Sequence, residues 1–129
     1  MIHYLNTDLD LVAIDDLTTL AADLEAQGVH PLHVAHHEDG LWYATFEASE
    51  SFEQPESNIV RMLAIIESLG DSASRAWWAC TVREFNIGYE CGSEPWAFNQ
   101  ELSGQTLRRM ADVGAALRIT LYPPEDKAG

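Results

Sequence analysis

The stretch "VHPLHVAHHEDGLWYATFEAS", residues 29–49, decides the fold. Read as a helix, it would place His30, His33 and His37 on one face, because residues three and four apart are helical neighbours. Read as strands, it is two short runs around Glu38, Asp39 and Gly40. The first run follows Gly28, is only nine residues long and leads into a glycine turn. Asp-Gly between two such runs is a hairpin signal, since glycine adopts the positive φ that a tight turn demands. The stretch is therefore assigned as strands over 29–37 and 41–49.

Working outward, "HYLNTDLDLVA" (3–13) alternates apolar and polar residues with the period of a half-buried strand. Leu5, Leu9 and Leu11 share one face; Tyr4, Asn6, Asp8 and Asp10 share the other. "DDLTTLAADLEAQG" (15–28) has Leu17, Leu20, Ala21 and Leu24 at helical spacing, with Asp15 as N-cap and Gly28 as the stop. The segment 54–70 predicts a helix with Pro55 in its first turn and a stripe of Ile59, Met62, Leu63, Ile66 and Leu69. A short helix over 71–79 and a strand over 81–90 follow. The loop after it could hold a short strand over 96–100. A helix over 103–115 capped by Ser103 leads to a final strand over 116–122, stopped by Pro123 and Pro124.

The element order implies an α+β fold: a mainly antiparallel sheet with helices on one face, ferredoxin-like β-α-β-β-α-β with a C-terminal α-β extension. The expected organisation is a single domain over 1–123 with a frayed tail over 124–129. Parity assigns Leu32, Val34, Trp42, Phe46, Phe85, Ile87, Ile119 and Leu121 to the core. The open face should carry Tyr4, Asn6, Asp8, Asp10, His33, His37, Tyr43, Thr45, Glu47, Glu84, Asn86, Glu90, Arg118, Thr120 and Tyr122.

Charge is the strongest global signal. The 129 residues carry a formal net charge of −14. Residues 1–60 contain twelve acidic residues and no Lys or Arg; residues 61–129 contain nine acidic and seven basic ones. Nucleic-acid binding needs cations that displace phosphate counterions, so it is excluded as an expectation, and an anionic membrane surface with it. A basic protein partner is attractive, because complementary charge steers encounter. Solubility, or a high-salt host, would also account for the acidity. No apolar stretch approaches a membrane span of about 20 residues, and the N-terminus lacks the basic and apolar regions of a secretory signal. The expected location is cytoplasmic.

Four of the five histidines lie within residues 30–37. On a strand only i, i+2 neighbours chelate at short range, and no pair here is two apart. His33 and His37 share a face, but their backbone positions are roughly 13 Å apart. No metal site is expected from them, with His33 and His37 as the alternative ligands. Cys80 and Cys91, eleven residues apart, read as free thiols, since an extended strand holds them far beyond disulfide reach. No cofactor motif is present: the chain lacks H-E-x-x-H, a nucleophile elbow, a Walker A loop and G-x-G-x-x-G. An acid–base or metal-dependent enzyme would have to be assembled from Asp8, Asp10, His33 and Glu84, with Glu90 as a further carboxylate. Pro95, Trp96 and Phe98 form an aromatic loop that reads as a plug at the end of the core, or as a recognition loop with Trp96 as anchor and Glu94 at its rim.

Residues 83–124, "REFNIGYECGSEPWAFNQELSGQTLRRMADVGAALRITLYPP", carry Phe85, Ile87 and Gly88, then Leu102, Leu107, Gly114, Leu117, Ile119 and Tyr122. This pattern of strand, loop, leucine-spaced helix and closing strand resembles a group of small bacterial α+β domains, some of which look like immunity proteins that bind and silence a toxin. No functional residue is carried over by the resemblance. Together with the charge it implies a non-catalytic, acidic, immunity-like binding protein for a basic toxin or other basic protein. The contact residues would be Tyr4, Asp8, Asp10, Tyr43, Glu47, Glu84, Glu90, Glu94 and Trp96; oligomeric state is not legible.

Overall fold

The computed structural model describes residues 1–94 and 96–124. In chain order the elements are β1 (His3–Ala13), α1 (Thr18–Ala26), β2 (Val29–His36), β3 (Trp42–Ala48), α2 (Pro55–Glu67), α3 (Asp71–Ala79), β4 (Val82–Glu90), α4 (Gly104–Asp112) and β5 (Ala116–Tyr122). The strands form one sheet in the order β2-β3-β1-β4-β5. The first three pairings are antiparallel; β4 and β5 are parallel, joined by α4 as a crossover. The result is an α+β fold built on a mostly antiparallel open sheet, as the alternation implied. The segment 29–49 is a hairpin, with Gly40 at φ +83° in its turn.

Leu9, Leu11, Ala13, Ala44, Phe46, Phe85 and Ile87 are buried on one face of the sheet, under Leu20 and Leu24 of α1, Ile59, Met62 and Leu63 of α2, and Trp77 of α3. Trp77 and Trp78 are adjacent on a helix and therefore diverge: Trp77 is buried and its Nε1 donates to the Val113 carbonyl at 2.9 Å, while Trp78 is half exposed. Ser103 caps α4 as expected, its side chain accepting from the Thr106 N–H. The N-cap of α1 is Leu17 rather than Asp15, with no side-chain cap bond; Asp16, just before it, accepts at Oδ1 from both the backbone N–H and the hydroxyl of Thr18. Both cysteines are free.

Two bulges break the parity that the alternation suggested. Between β1 and β4 the register passes from Tyr4↔Tyr89 to Asn6↔Gly88, so Leu5 is the extra residue. Tyr4 is thereby turned off the open face onto the helix side, where it packs against Tyr89, and Leu5 is half exposed instead of buried. Between β2 and β3 the register passes from Pro31↔Phe46 to His33↔Thr45, leaving Leu32 unpaired and half exposed rather than in the core. Pro31 has no N–H to give the ladder, which is why the irregularity falls there. A third correction concerns Ile119 and Leu121: both are exposed, because β5 extends beyond the helical layer. Residues 96–100 form no strand. Of the expected tail, Pro124 is exposed and residues 125–129 lie outside the described ones, as does Pro95.

Candidate functional site

The three central strands bring carboxylates together on the open face. Asp10 of β1 lies between Thr45 of β3 and Glu84 of β4; Asp8 lies opposite Asn86 of β4. Glu47 of β3 is two residues from Thr45 on the same face. The group thus consists of Asp8, Asp10, Glu47 and Glu84, all half-buried. Their alignment follows from antiparallel register: every second residue of three neighbouring strands projects the same way, so four separated acids become neighbours.

Compensation is sparse. Arg118 Nε of β5 meets Glu84 Oε1 at 2.7 Å, and the Thr45 hydroxyl donates to Asp10 Oδ1 at 2.9 Å. Among the described residues, Asn6 is the one amide recorded as donating to these carboxylates: its Nδ2 donates to Glu47 Oε2 at 3.0 Å and reaches Asp8 Oδ1 at 3.5 Å. Asn6 is itself held from behind, its Oδ1 accepting from Nδ2 of the fully buried Asn58 on α2. Asn58 Nδ2 also donates to the Tyr4 hydroxyl, which is hydrogen-bonded to Thr7. A polar thread therefore runs from the helical layer through the bulge to the acidic face. Burial, then the charges of Asp10 and Glu47, push the Asp8 carboxyl up to about 6.

A small hollow of about 180 Å³ opens beside Asp8, lined by Leu5, Asn6, Asn86, Gly88 and Tyr122. The Tyr122 ring lies over Gly88, where an added Cβ would stand 3.4 Å from Cε2. Thr120 donates to Oδ1 of Asn86, one of the lining residues, at 2.7 Å. Pockets for drug-sized ligands run from about 300 Å³ upward, so this hollow suits one cationic side chain rather than a substrate. A larger surface hollow, about 530 Å³, lies at the end of the sheet near His3, Glu53 and Phe98 and includes none of the four carboxylates.

The remaining predicted residues disperse. Tyr43 is on the open face but engages Asp39, donating to its Oδ2 at 2.5 Å, and stacks on His37 with ring centroids 4.3 Å apart. Glu90 is on the same face at the far end of β4, some 20 Å along the strand from Glu84. Glu94 and Trp96 lie in the 91–103 loop, Trp96 being 97% exposed. Of the expected aromatic plug, Phe98 packs edge-on to Tyr89 at 5.2 Å. Tyr4 belongs to the interior.

His33 and His37 overturn the expected separation, because their Nε2 atoms are 3.3 Å apart. Backbone spacing was the wrong measure: two imidazoles leaning along the strand direction span most of it. Among the described residues, no group of three or more His, Cys, Asp or Glu converges in a way that could hold a metal ion. Asn58, the residue that ties the face to the core, escaped the sequence reading. Its only signal was a lone amide inside an otherwise apolar helical stripe.

Comparison with protein-family models, curated proteins and solved structures returns no match.

Proposed function

We propose that this chain is a non-catalytic binding protein whose open sheet face receives a cationic surface of another protein, in the manner of an immunity protein that neutralises a basic toxin in the cytoplasm. One observation carries the reading. Asp8, Asp10, Glu47 and Glu84 are held together on three adjacent strands, with Arg118 as the one cation recorded against them among the described residues. Like charges brought together by folding oppose folding, and an arrangement of that kind is a functional-site signature. An incoming Lys or Arg relieves the repulsion, and the hollow beside Asp8 accepts its head under the Tyr122 ring. The ferredoxin-like assignment of the first four strands belongs to the same proposal. It is supported by their order β2-β3-β1-β4 and by antiparallel pairing throughout that set. An acid–base enzyme built on Asp8, Asp10, His33 and Glu84 is disfavoured, since His33 turns to His37 and the hollow beside Asp8 includes neither Asp10 nor His33.

The test is charge reversal at two places. Asp10→Lys and Glu47→Lys should each abolish capture of basic proteins from the native host. Asp23→Lys and Glu25→Lys, on exposed positions of α1, should leave it intact. Equal loss from both pairs would reduce the interaction to general acidity and defeat the proposal.

A further inference from the structure

The two edges of the sheet differ. The β2 edge carries Pro31, a bulge at Leu32 and a run of histidines, all devices that spoil strand addition. The β5 edge carries none of them. Its sequence, ALRITLY, has no Pro, Gly or Lys, and among the described residues it pairs with β4 alone. Leu117, Ile119 and Leu121 sit in register with Phe85, Ile87 and Tyr89 on the helix side of the sheet. Yet they are 41%, 55% and 63% exposed, whereas their three β4 neighbours are buried.

We propose that β5 is the interface of a homodimer, pairing antiparallel with β5 of a second copy about a twofold axis at Ile119. The pattern of the strand selects a copy of itself over an unrelated strand. Around Ile119 the sequence is self-complementary: Leu117 faces Leu121 of the second copy, and Arg118 faces its Thr120. Small Ala116 faces its large Tyr122. No like charges stand directly opposite, and the three large aliphatic side chains, Leu117, Ile119 and Leu121, fall on one face, as register requires. Charge segregation makes the approach possible for a chain of net charge −14. All seven cations lie in residues 61–129, which include β4, α4 and β5, while the cation-free first sixty residues supply β1, β2 and β3. Two copies meeting at β5 therefore join their least acidic parts and keep β2 and β3 outermost. The two five-stranded sheets become one, with both carboxylate clusters on the same open side. The inference does not depend on what those clusters bind.

Sedimentation equilibrium of the full chain, over roughly 1 µM to 1 mM, tests it. A two-chain mass is expected. Ile119→Lys should raise the dissociation constant at least tenfold while leaving circular dichroism unchanged, and the unfolding midpoint unchanged at concentrations where both proteins are single chains, because residue 119 is exposed in the single chain. Leu32→Lys, on the protected edge, should not affect the mass. Hydrogen exchange should show β5 amides gaining protection with concentration. A single-chain mass throughout, or a dimer that survives Ile119→Lys, would overturn the proposal. So would a single chain whose β5 is covered only by a different protein.

Discussion

Burial and the neighbouring carboxylates of Asp10 and Glu47 hold the Asp8 pKa at about 6, whereas an unfolded chain titrates it at about 3.9. The native state thus binds this proton more tightly. The resulting stabilisation is fully present below about pH 4 and is lost as pH rises through 6. Asp8→Asn should therefore stabilise the protein at pH 7.5 by about 1 kcal/mol, a figure discounted for the carboxylate's partial exposure. The gain should vanish by about pH 4, as read by urea denaturation at the two pH values. Binding of a cation should run the opposite way, weakening as pH falls through 6 and Asp8 is neutralised. Asn58 is the counterpart inside the fold. Removing its amide leaves the Tyr4 hydroxyl and Asn6 without their donor. Asn58→Ala should cost about 1–3 kcal/mol in the unfolding free energy.

Within single elements, bulges and caps decide outcomes that periodicity does not. Leu5 and Leu9 occupy equivalent places in the β1 alternation, but the bulge turns Leu5 outward and leaves Leu9 fully buried. Leu5→Ser should change stability by less than about 0.5 kcal/mol. Leu9→Ala should cost about 2–5 kcal/mol. Equal losses in thermal unfolding would contradict the register. At α4, Ser103→Ala removes the acceptor for the Thr106 N–H and should cost about 1 kcal/mol. Some element extents were readable because periodicity and the flanking Gly and Pro act over a few positions: α3 and β5 match their expected bounds. Tyr4, Leu5 and Leu32 were misread for the complementary reason. A bulge depends on the partner strand, whose paired residues lie seventy or more positions away for β1 and β4, and it leaves no mark in the strand's own alternation.

Across the molecule, charge of −14 on 129 residues is a standing repulsion that counterions relieve. Raising ionic strength should stabilise the fold in urea melts while slowing association with a basic partner. A stopped-flow on-rate insensitive to salt would argue against electrostatic steering. The acidic face itself was foreseen from parity on β1, β3 and β4, and Asp8, Asp10, Glu47 and Glu84 are where that reasoning put them. What the chain alone determined is local: where it extends, where it coils, which residues alternate and how strongly one half is charged, since each follows from neighbours a few positions apart. Tertiary structure alone decided that Tyr4 turns inward, that His33 meets His37, that Asn58 braces the carboxylates, and that β5 projects past its helices. Those outcomes depend on which strands pair, in what register, and how far the helical layer reaches, and such long-range packing is not written in any single segment.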